Sequence, residues 1–293
     1  MAQFTESYFE ELFDFAELER TVSSTIRLAA KDPRSFYQFF QRYTYFNGFA
    51  SAAIARLSSS IGLSRYLFIN SELLVTEEAD RGMDIAAQIL TAAADEGIDG
   101  RPVHRALAQL TLKTIGNYAE LSVEERNEVA KIPAWLDEIV KGVVTNYEGK
   151  PDDIASLIRG MGFNLASEIF GDREYALLDM IVRHENKGIG FDRYLREKAT
   201  PVMIQGHKYT PWCWVTIHSQ CQSSGAEAEH CKNALAALNM SLRYRRESDQ
   251  QMTAWATEGF TAFVNLQQQL FLEIHRECLT ISHGSGRQSL LSV

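Results

Sequence analysis

The sequence predicts an all-α fold, a single helical-bundle domain of roughly eight to ten helices. Three observations predict it. The six prolines stand between long helix-friendly intervals rather than inside them. Sustained period-two alternation, the mark of a half-buried strand, is absent. No repeat, low-complexity linker or shift in composition marks a domain boundary, so residues 1–280 read as one domain and 281–293 as a flexible tail.

Taken in order, Asp32-Pro33 reads as an N-cap followed by a first-turn proline. The helix expected over 34–60 carries FYQFFQRYTYFNGF, in which Phe36, Phe39, Phe40, Tyr43 and Phe46 recur at steps of three and four. That stripe is either core packing or the wall of a pocket for an apolar or aromatic molecule. MDIAAQILTAAADE follows as a helix. Pro102 marks the next boundary, which places His104 in an exposed first turn. Ser122-x-x-Glu125 reads as a capping box. Pro133, Pro151, Pro201 and Pro211 punctuate further helices, and HCKNALAALNMSLRY is strongly helical. The tail ISHGSGRQSLLSV is expected to fray.

Composition narrows the function classes. The chain has 293 residues, 45% hydrophobic, with 38 acidic against 29 basic residues and a net charge of −9. An acidic surface disfavours nucleic acid and anionic membrane as partners. The tight basic cluster of Arg243, Arg245 and Arg246 fits a solvated helix end. No apolar run reaches the ~18 residues of a membrane span. The acidic start MAQFTESYFEELFDF lacks the basic-then-apolar order of a secretory signal, so a cytoplasmic location is expected. Cys213, Cys221, Cys231 and Cys278 match no zinc spacing and are expected to be reduced. The short pairs His218-x-x-Cys221 and His275-x-x-Cys278 are expected not to act as ligand pairs.

The chemistry-bearing stretch is HSQCQSSGAEAEH, residues 218–230. Glu227 and His230 stand three apart, hence on one helix face, and that face continues through Ala234, Leu238 and Ser241. His218 follows Trp214 by one turn in PWCWVTIH. On an unbroken helix, His218 and Glu227 would point in opposite directions, because nine residues turn through about 900°. Ser223-Ser224-Gly225 must therefore break the helix if both serve one site. Glu168 in MGFNLASEIFG sits among apolar residues and needs either an arginine partner or a metal. Glu77 and Asp84 share a face beside Ile85 and Ile89, with Glu78 as the neighbouring choice. Their other reading is a solvated helix face. His184 reads as a helix-end histidine held by terminal carbonyls.

The order Glu77, Asp84, Glu168, His218, Glu227, His230 resembles the haem-oxygenase-like superfamily, and within it the branch of non-haem diiron oxidases and oxygenases. The phrases FYQFFQRYTYFNGF, FNLASEIFGDREYALLD and WCWVTIHSQCQSSGAEAEHCKNALAAL carry the same likeness, which extends over residues 34–247. Two features depart from the family pattern. Asp84 stands where a His is usual, and the gap from His218 to Glu227 is longer than one turn. The resemblance implies a haem-oxygenase-like helical bundle in which those six residues hold two iron ions. It implies dioxygen as cosubstrate and an amino-acid- or fatty-acid-derived small molecule as substrate, with homodimer formation open. Other readings stay open: a metal-free or haem-dependent enzyme of the same fold, using for instance a buried carboxylate and the Cys221 thiol, or a non-catalytic helical binding module.

Overall fold

The computed structural model describes residues 4–64, 66–68, 74, 81–95, 104–219, 226–244 and 247–288, without the side chains of 94–95, 226–228 and 282–288. The helices are α1 (Glu6–Leu12), α2 (Phe15–Ala29), α3 (Pro33–Asn47), α4 (Ala50–Leu63), α5 (Arg81–Asp95), α6 (His104–Tyr118) and α7 (Val123–Ala130). They continue as α8 (Ala134–Asn146), α9 (Ile154–Asp179), α10 (Gly190–Glu197), α11 (Cys213–His218), α12 (Ala226–Arg243) and α13 (Asp249–Gln288). A π-helical turn, Met180–Glu185, extends the end of α9.

Local chemistry accounts for many of the ends. Asp32 accepts from the Ser35 amide with Pro33 in the first turn, as the sequence predicts. Ser122 and Glu125 form the predicted reciprocal capping box. Asp14 and Asp153 cap α2 and α9 in the same way. The acidic N-terminal segment is anchored by one guanidinium: Arg173 of α9 reaches Glu6, Glu10 and Glu19.

Three features differ from expectation. The stretch 34–60 is two helices, not one, because the chain turns at Gly48–Phe49 between α3 and α4. That break and the short helices α1, α7, α10 and α11 raise the helix number above the expected eight to ten. A small hairpin, β1 (Val202–Ile204) and β2 (His207–Tyr209), interrupts the helical sequence. Gln205 and Gly206, at φ 51° and 81°, make its left-handed two-residue turn. Three-residue strands are too short to show alternation, which is why the sequence is silent there. Finally, α13 runs on through Gln288, into the segment expected to be a tail.

One hydrophobic core unites the domain. The α3 stripe lies inside it: Phe36, Phe39, Phe40, Tyr43 and Phe46 are all buried. Phe39 stacks on Tyr43 at 5.8 Å, and Phe40 meets Trp212 and Trp214 of the segment entering α11. Arg42, also buried, is held by Glu277 of α13 and by the carbonyls of Val129 and Lys131. α9 and α13 form the most extensive helix pair and carry the wall on which the site is built. No described helix is long and apolar enough to cross a membrane.

Candidate functional site

A cavity of about 610 Å3 lies between α3, α6, α9, α11 and α12. Its aromatic walls include Phe46, Tyr147, Tyr175, Trp214 and Phe263. Its ionisable lining includes the carboxyls of Glu168 and Glu174, the imidazoles of His104, His218 and His230, and the guanidiniums of Arg105 and Arg126. Largely apolar cavities with a few convergent polar groups are the usual form of small-molecule sites. Of the aromatic stripe, Phe46 is the residue that lines the cavity, so the stripe is mostly core with one end serving as wall.

α9 presents Ser167, Glu168, Gly171, Glu174 and Tyr175 to the cavity, the one-, three- and four-residue steps of a single helix face. Glu168 meets His230 of α12, with Oε2 and Nδ1 3.6 Å apart and both side chains nearly inaccessible. The partner of Glu168 is thus an imidazole rather than the alternative arginine. Ala234, Leu238 and Ser241 are all buried, as the reading of an inward α12 face requires.

His218 is 3% exposed, and its ring is stacked on Tyr175 at 4.4 Å. Its Nδ1 lies 2.6 Å from the Trp214 carbonyl, which can only accept, so Nδ1 carries the proton. In the neutral ring Nε2 is then the lone-pair nitrogen, and it faces His104 Nδ1 at 3.2 Å. α11 ends at His218, with Ser219 as its C-cap, and α12 starts at Ala226. The two histidines 218 and 230 therefore sit on separate helices, and the opposed directions of one continuous helix do not arise. Residues 220–225, with Cys221 and the Ser223–Gly225 break, lie outside the described residues.

Asp84 is placed differently. It pairs with Arg81 at 3.1 Å, is 44% exposed in its side chain, and is not among the residues lining the cavity. Its neighbours Ile85 and Ile89 are buried, so Asp84 stands at the edge of the apolar strip of α5. Glu77, Glu78 and the side chain of Glu227 lie outside the described residues.

Two residues of the cavity escaped the sequence reading. His104 is half-buried against His218, not an exposed first-turn residue; the preceding Pro102 signalled the turn but not what packs on it. Glu174 is 4% exposed and accepts a hydrogen bond from Gln267 of α13. Burial pushes its carboxyl up to about 7, against the hydrogen bond from Gln267. Burial, and then the nearby Glu174 charge, hold the Tyr43 phenol well above its usual range. The spacing from Glu168 could have drawn attention to Glu174, but its surroundings, DREYALLD, read as an ordinary polar helix face.

His184 is exposed at the π turn and has the Asp179 carboxylate 3.6 Å away, in addition to its place near a helix end. Cys213 and Cys231 are half-buried, and burial pushes the buried Cys278 thiol up to about 11. His275 Nδ1 lies 3.3 Å from the Thr25 hydroxyl, and the Cys278 thiol faces the Ser35 carbonyl.

The donor set bears on a metal. Carboxylate oxygen and imidazole nitrogen suit iron and manganese. The 3.6 Å between Glu168 and His230 exceeds a hydrogen bond and fits two ligands sharing one ion at bonds of about 2.0–2.2 Å. Among the described residues no group of three or more His, Cys, Asp or Glu side chains is arranged to hold an ion. The chain matches no protein-family model and no curated protein sequence.

Proposed function

We propose that this protein is a non-haem iron oxidase or oxygenase acting on a small, largely apolar molecule held in the cavity. The observation that carries the reading is the Glu168–His230 pair, a buried carboxylate and imidazole facing the cavity at 3.6 Å. The resemblance to the diiron branch of the haem-oxygenase-like superfamily supplies the choice of iron and dioxygen. Glu168 and His230 would hold the first ion, with Glu227 one turn before His230 as the third ligand. Glu77 and Asp84 would hold the second; the Arg81 pairing and the exposure of Asp84 make that position the weaker one. Bound iron would supply a site at which dioxygen, the oxidant, is activated towards the substrate.

The chain's own groups do the rest. The aromatic walls exclude water and bind the apolar body of the substrate. His218, oriented by the Trp214 carbonyl, presents Nε2 as a proton acceptor towards His104. Glu174, with a carboxyl near neutrality, can hold or release a proton inside the cavity.

Ferrous iron titrated anaerobically into the chain, followed by calorimetry and metal analysis, tests this reading. His230→Ala is expected to weaken uptake of the first ion at least ~100-fold, since it removes an imidazole ligand outright. Asp84→Ala is expected to leave the first ion in place and to alter only the second. Unchanged stoichiometry in His230→Ala would remove the iron reading. A second reading, a metal-free acid–base enzyme of the same cavity, is favoured by Glu174. It predicts that turnover survives chelation and is lost in Glu174→Gln.

A further inference from the structure

α9 contains three central glycines, Gly160, Gly162 and Gly171, each unfavourable in a helix relative to alanine. Two of them have a packing reason. A Cβ on Gly160 would come 2.7 Å from Leu57 Cδ1, and one on Gly162 would fall on the Ala256 carbonyl oxygen. Gly171 has none: a Cβ built there meets nothing within 4 Å among the described residues. Its backbone is right-handed helix, outside the positive-φ positions that call for glycine. Gly171 nevertheless lines the cavity, one turn from Glu168 on one side and one turn from Glu174 on the other.

We propose that Gly171 is a specificity-determining residue: its missing side chain leaves the room in which a flat or unbranched hydrocarbon part of the ligand lies, between Glu168 and Glu174. Hydrocarbon fits because Tyr175 and Trp214 line the same cavity. The two carboxyls are already engaged, Glu168 by His230 and Glu174 by Gln267. Among the described residues no neighbouring helix stands in the way of a larger residue at 171, which lines the cavity. The proposal deepens the cavity reading above and rests on the cavity being a ligand site, though not on iron.

The test needs no metal and no known substrate. Gly171→Ala and Gly171→Leu are compared with the parent chain by thermal unfolding and by fluorescence titration with 1-aminoanthracene, an uncharged fused-ring probe. Gly171→Ala is expected to raise the melting temperature by about 2 °C, because helix propensity improves with no clash. It is expected to weaken probe binding about threefold. Gly171→Leu is expected to melt no lower than the parent and to bind the probe at least tenfold more weakly. A lower melting temperature in Gly171→Ala would show that the glycine is needed for packing and would overturn the proposal. Equal probe affinity in Gly171→Leu and the parent, or no binding to the parent, would overturn it as well. Iron uptake by Gly171→Leu, measured in parallel, separates failure here from failure of the iron reading: the first ion still binds if the substitution fills only the ligand space.

Discussion

Gly162→Ala is expected to destabilise the protein by at least ~3 kcal/mol, although alanine is the better helix former by about 1 kcal/mol. The added methyl would fall on the Ala256 carbonyl oxygen of α13. The same crossing places the Arg159 carbonyl of α9 over Gly259 of α13, so Gly259→Ala carries the same expectation. Backbone cannot rotate aside as a flexible side chain can, and the helices must separate instead. Separation reaches the site, because α9 carries Glu168 and Glu174 while α13 supplies Gln267. Urea unfolding of the two variants checks this; values within ~0.5 kcal/mol of the parent would refute so close a crossing. The sign contrasts with Gly171→Ala on the same helix, so the three variants together report helix packing and cavity space separately.

Glu174→Gln is expected to stabilise the protein at alkaline pH by about 3 kcal/mol, an upper value, and to have little effect at pH 5. The Glu174 carboxyl is raised from an ordinary 4.5 to about 7 in the fold. The unfolded chain therefore releases this proton before the folded one does. Burying the group costs nothing below the unfolded value; the penalty accumulates as pH rises towards 7 and is complete above it. A neutral amide escapes that penalty and can still pair with Gln267. Melting temperatures of the iron-free parent and variant at pH 5 and pH 8 test it, with a gap of about 5 °C expected only at pH 8. An equal gap at both values would mean that Glu174 does not titrate in this range.

Much of the fold is legible in local chemistry. The caps at Asp32 and Ser122 depend on a residue and the amide three places on, and those contacts are made within one turn of chain. The inward face of α12 follows from 3.6-residue periodicity, as does the buried stripe of α3. Glu168 stood out as a carboxylate in apolar surroundings, and such a group must find a partner wherever the helix packs. The split at Gly48–Phe49 and the hairpin at 202–209 were not legible, since each rests on a turn of a few residues with no periodic signal.

What the sequence by itself determined is the helical class, the capped starts of α3 and α7, and the inward faces of α3 and α12. Each of these is set by residues within one or two turns of one another. Only the tertiary structure decided that His230 meets Glu168, that His104 reaches His218 from another helix, and that Asp84 stays with Arg81 at the edge. It also decided that Glu174 lies buried with Gln267 as its partner and that, among the described residues, Gly171 has no neighbour within 4 Å of an added Cβ while Gly162 faces backbone. The physical reason is the same in each case. Partner identity, burial and free volume are properties of how helices cross, and residues 62, 93 or 114 positions apart carry no local signal of the side chain they will meet.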